Sequence, residues 1–245
     1  MTGPRIAVLS AAAFAFAMSS APMAAQGRTH AVIVAGLGGT AEYRESFHAE
    51  ASMIREALIE LHGLPAEDVT YLGEKVEVDP TTILLRSTRA NVLQVLSEIA
   101  QQADPLDRLF VVLIGHGTSN DSEVQFNLPG PDLTSTDFLL GLGAFPTQTL
   151  ALVATGSASG GFIAPLSGPN RILVAATRTD RQLNATEFGQ FFAEAIAEGG
   201  ADLDHDDYEG SSNRHHDRQR RTTQQNRRTV AFLFLLIETP VLLVA

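Results

Sequence analysis

A chain of 245 residues with 44% apolar side chains can bury a full core, which excludes a disordered or collagen-like class. Its 28 acidic and 17 basic residues give a net charge of −11, and Lys75 is the single lysine. Phosphate contacts need clustered Lys and Arg, so no nucleic-acid partner is expected. The lack of any cysteine removes a disulfide framework, a thiolate metal site, an iron–sulfur cluster and a thiol nucleophile.

In chain order, residues 1–25 read as a signal peptide. Arg5 supplies the positive start, residues 6–18 form an apolar run, and residues 19–25 are small, so cleavage is expected after Ala25. The run is shorter than the roughly 20 residues a bilayer span needs, and no thiol is present to carry a lipid. The mature chain is therefore expected to be periplasmic or secreted, with no transmembrane span. Residues 26–210 form the expected main domain, with 10 basic against 26 acidic residues. Residues 211–245 differ in character: six arginines from Arg214 to Arg228 precede an apolar segment that Glu238 and Pro240 interrupt.

Within the domain, residues 31–35 (AVIVA) predict a first strand, and the apolar spacing over 47–61 predicts a helix beginning near Ser46. Residues 69–72 predict a strand and 91–103 an amphipathic helix. Residues 109–114 (LFVVLI) are a continuous apolar run, which suits a central strand covered on both faces. Thr134 and Asp137 give a capping signal ahead of a short helix over 138–142. Strands are predicted at 150–154 and 171–177, and a last helix at 186–198. Strands alternating with helices predict an α/β fold, a mainly parallel sheet with helices on both faces. Ligands in such sheets bind beyond the carboxyl ends of the strands.

Three segments follow strands. Gly36, Gly38 and Ala41 have dinucleotide-fingerprint spacing, but a helix starting near Ser46 and no acidic residue at the usual distance leave the phosphate unsupported, so no cofactor is expected. His116 lies between Gly115 and Gly117, where an imidazole can project as a base beside an accessible backbone N–H. Residues 155–161 (TGSASGG) are small enough to leave room for substrate. Asp202, Asp204 and Asp206 begin like a calcium loop, but Asp207 replaces the turn glycine and Asn213 the bidentate Glu. His215 and His216 lack partners at ligand spacing. No metal is expected.

Together these segments resemble the legumain family of cysteine peptidases, within the caspase-like group, over residues 29–198. Ala35-Gly36, Gly39 and Tyr43-Arg44 are similar to the family's A-G-x-x-G-x-x-x-Y-R. Ile114-Gly115-His116-Gly117 resembles its catalytic histidine segment, Ser157-Ala158-Ser159-Gly160 its C-x-S-G, and Ala175-Ala176-Thr177 its alanine–threonine stretch. Phe126-Asn127-Leu128-Pro129-Gly130 and Phe188-Gly189 resemble stretches of secreted bacterial relatives. The resemblance implies a caspase-like three-layer sandwich with His116 as base, Gly117 as an oxyanion N–H, Arg44 lining the pocket for the residue before the scissile bond, and Ser159 and Gly160 beside the substrate. Ser157 stands where the family has its cysteine, and Thr155 where an acidic residue is usual.

A serine hydroxyl must lose its proton to an oriented base during attack, so replacing the thiol costs orders of magnitude unless a third group holds the histidine. Glu42 falls where the family has a histidine-orienting asparagine. Two function classes follow: an exported, non-catalytic or strongly attenuated homologue that binds a peptide or protein partner in the crevice, and a serine peptidase or transpeptidase using Ser157, His116 and Glu42. Oligomeric state is not legible.

Overall fold

The computed structural model describes residues 27–120 and 123–197. The expected signal peptide, the Asp202–Asp206 cluster, His215, His216 and the apolar tail lie outside them. The elements in order are β1 (Thr29–Ala35), α1 (Ala41–Glu60), β2 (Val69–Gly73), β3 (Leu85–Arg86), α2 (Arg89–Gln102), β4 (Arg108–Ile114), β5 (Gly117–Ser119), β6 (Val124–Phe126), β7 (Leu133–Thr134), α3 (Ser135–Leu142), β8 (Thr149–Ala154), α4 (Ile163–Leu166), β9 (Arg171–Ala175) and α5 (Phe188–Ala197).

Six strands make one sheet in the order β3-β2-β1-β4-β8-β9, every pairing parallel. The LFVVLI run is β4, flanked by β1 and β8 as a doubly covered strand should be. Alternation along each strand divides the core in two. Ala31, Ile33, Phe110, Val112, Ala151 and Val153 pack with α1 and α5 on one face. Val32, Val34, Leu109, Val111, Leu113 and Leu152 pack with α2 and α3 on the other. Each buried aliphatic side chain stabilises the fold by about 1.5–3 kcal/mol, so the β1-β4-β8 centre is its most strongly held part.

Four boundaries differ from the sequence expectation. Helix α1 begins at Ala41, not near Ser46, because Thr40 caps it by accepting the Tyr43 N–H at 3.4 Å. Its first turn is polar and exposed, so it lacks the apolar period that marks the rest. Strand β9 stops at Ala175, short of Thr177, and α5 starts at Phe188 rather than residue 186. The Thr134 cap is a full capping box with Asp137, and α3 follows it directly. A second, antiparallel sheet, β5-β6-β7, was not anticipated. Its strands are two or three residues long, too short to show a period.

Candidate functional site

The strand order reverses between β1 and β4: the chain runs outward through β2 and β3, then returns beside β1. Open parallel sheets bind ligands at such a point. Here the second sheet closes it. Asn127, just past β6, accepts the Leu37 N–H at 2.9 Å and donates its own N–H to the His116 carbonyl at 2.9 Å. A side chain at Gly36 would run into the Asn127 carbonyl and the Phe126 ring.

The glycine turn after β1 also differs from the expectation. Helix α1 starts directly after it, so the start of the helix no longer argues against an anion there. The Gly38 N–H, however, is already taken by the Glu74 carboxylate at 3.0 Å. Glu74 is buried and also pairs with Arg44 at 2.9 Å. Gly38 lies against the Arg44 backbone, and Gly39 takes φ +74°, which permits the turn into the helix. The three glycines thus have packing and turning roles, and the protein's own carboxylate occupies the turn. Arg44, expected to line a pocket, pairs with Glu74, and the two line a small recess beside Gly36, Phe47 and Tyr71. Sequence reasoning missed Glu74; an acidic residue directly after a buried strand was its signal.

His116 and Ser157 follow β4 and β8, adjacent parallel strands in register from Arg108↔Thr149 to Leu113↔Ala154. Their loops touch backbone to backbone. A Cβ on Gly156 would fall inside the Gly115 carbonyl oxygen, and one on Gly117 inside the Ser157 carbonyl oxygen. Ser157 is 3% exposed. Its hydroxyl donates to the Gly117 carbonyl at 2.9 Å and accepts the Gly117 N–H at 3.1 Å. Expected nucleophile and expected oxyanion donor are therefore bonded to each other. Ala158 is buried with φ 56°, a left-handed conformation that costs an alanine about 1–2 kcal/mol, and its N–H donates to the Gln182 carbonyl at 2.8 Å. Ser159 and Gly160 tie this loop to the segment after β9: the Thr177 N–H donates to the Ser159 hydroxyl at 3.2 Å, and the Gly160 N–H to the Thr177 hydroxyl at 2.9 Å.

The His116 ring packs edge-on against Tyr43, with centroids 4.6 Å apart, and Phe47, at 5.1 Å, both from α1. Burial pushes its pKa below the ordinary imidazole value, and a hydrogen bond to the Gly38 carbonyl opposes the shift. The shift favours the neutral imidazole. Glu42 is exposed in the first turn of α1. Among the described residues, no hydrogen bond or ion pair joins His116 to Ser157 or to Glu42.

What His116 does face is a cleft between α1 and α5 of about 250 Å³, partly open to solvent and lined by Tyr43, Phe47, Glu50, Thr155, Thr186 and Gly189 among others. Sequence reasoning missed Glu50. It lies three residues after Phe47, on the side of α1 that carries the buried Phe47, Ala51 and Ile54, and that spacing was the available signal. No group of three potential metal ligands occurs among the described residues, and no helix among them is long and apolar enough to cross a membrane. No protein-family model matches the chain, and no curated protein matches it.

Proposed function

We propose that the chain is an exported, legumain-like homologue of the caspase-related peptidases whose crevice, beyond β4 and β8, holds a peptide or protein partner without hydrolysing it, or hydrolyses it at a strongly reduced rate. The order of the motifs supports the kinship, as does the placement of the histidine and C-x-S-G-like segments on adjacent parallel strands. One observation carries the loss of catalysis: the Ser157 hydroxyl is buried and bonded at both ends to Gly117. A nucleophile must approach a base and leave an N–H free for the oxyanion. Here no hydrogen bond joins His116 to the Ser157 hydroxyl among the described residues, and the Gly117 N–H holds that hydroxyl.

A fluorophosphonate probe tests this directly. The full chain is expected to stay unlabelled and to leave a diverse peptide library uncut, while retaining affinity for some of its members. Labelling at Ser157 that disappears in His116→Ala would overturn the non-catalytic reading and establish the serine enzyme instead.

A further inference from the structure

The cleft beneath His116 is lined by several hydrogen-bond acceptors. The Thr155 hydroxyl spends its proton on the Leu113 carbonyl, at 3.1 Å. The Thr186 hydroxyl spends its proton on the Thr155 carbonyl. Both oxygens can therefore only accept from a ligand. Burial favours the neutral form of His116, whose ring then keeps one acceptor nitrogen. Glu50 adds a half-buried carboxylate whose Oε1 accepts from the Ser46 hydroxyl at 3.0 Å. Among the described residues, no Lys, Arg or His forms an ion pair with it.

Two further features fit the same ligand. Tyr43, Phe47 and His116 form an aromatic corner, with Tyr43 and Phe47 centroids 5.8 Å apart, and aromatic faces attract cations. Gly189, at the start of α5, lies directly against the second Glu50 oxygen and near the Thr155 hydroxyl. The carboxylate is thereby admitted to the cleft wall. The enclosed part of the cleft has room for about one water-sized group, the size of an ammonium head, and the rest is open to solvent.

We infer that this cleft takes a basic side chain, an alkylammonium or guanidinium, from the peptide bound in the crevice, with Glu50 as the residue that selects it. The inference rests on the peptide-binding reading above. The cation would donate to the Glu50 carboxylate and the threonine oxygens and lie against the aromatic corner. Desolvation raises the Glu50 pKa, as befits a carboxylate buried without its counter-charge.

The test uses the full chain with its histidines labelled in ¹⁵N, titrated with n-butylammonium and, separately, with n-butanol. The His116 ring resonances should shift saturably with n-butylammonium, and Glu50→Gln should weaken that binding about tenfold. Equal shifts with n-butanol, or none with either, overturn the inference without recourse to the variant. A second arm compares tetrapeptide amides that differ only in Lys, Arg, norleucine or Asn at one position. Lys and Arg peptides should bind about tenfold tighter than the norleucine peptide. Binding without that preference would overturn the basic-residue assignment and leave the peptide-binding reading standing. If no peptide binds, the reading itself falls, even where n-butylammonium enters the cleft.

Discussion

Ser157→Ala removes one hydroxyl from a residue that is 3% exposed. The Gly117 carbonyl then loses a donor at 2.9 Å, and the Gly117 N–H loses an acceptor at 3.1 Å. Water cannot readily replace the lost oxygen, because the two loops are in backbone contact at Gly117 and Gly156. Two hydrogen bonds of about 0.5–1.5 kcal/mol each place the loss at roughly 1–3 kcal/mol. For a chain of this size, a loss of about 2 kcal/mol lowers the melting midpoint by roughly 4–8 °C. A serine held ready for attack behaves in the opposite way, since reactive side chains are commonly strained and their removal is neutral or stabilising. Urea and thermal unfolding followed by circular dichroism distinguish the two cases. An alanine variant as stable as the parent, or more stable, with an unchanged urea slope, would refute the structural role given to this hydroxyl.

Two other predictions concern the same junction. Gly156→Ala places a Cβ inside the Gly115 carbonyl oxygen, which cannot retreat without moving the end of β4. It should lose about 3 kcal/mol or more in urea unfolding, and a variant within about 1 kcal/mol of the parent would show that the loops are not packed this way. The second concerns pH. Burial holds the folded His116 pKa below its ordinary 6.5, so as pH falls through that value the unfolded chain takes up the proton first. The contribution of His116 to stability is therefore lost between 6.5 and the lower folded value, and stays constant below it. Urea midpoints measured across this window should fall less steeply in His116→Gln than in the parent, and an equal or steeper slope would refute the sign.

The sheet was legible wherever strands are long and wholly apolar. AVIVA and LFVVLI became β1 and β4 because a strand covered on both faces needs unbroken apolar sequence. The Thr134–Asp137 cap was legible from chemistry that spans only four residues. The first turn of α1 was not, because its residues follow no apolar period, and Tyr43 and Arg44 find their partners His116 and Glu74 far along the chain. The adjacency of the segments after β4 and β8 was legible, but not the contacts they make. Glu74 bonds Gly38, 36 positions before it, and Glu50 shares a cleft with His116, 66 positions after it, and no local pattern carries such a juxtaposition. Glu42, chosen by alignment with a motif, is exposed on the first turn of α1. The same motif placed Arg44, whose partner Glu74 comes from the far end of β2.

The partnership of β1 with β4 joins Thr29 to Arg108, across an intervening stretch that contains two helices and two strands. Such a distant closure adds little to the equilibrium cost, because the entropy of a loop grows only logarithmically with its length. It weighs more on the rate, since a sheet built from remote partners must assemble before those contacts repay the search. The junction of Gly115–Gly117 with residues 155–157 needs β8 docked on β4 as well. Partly assembled chains, even with their helices formed, therefore lack this junction, and its appearance during refolding marks the docking of β8 on β4 rather than an early step.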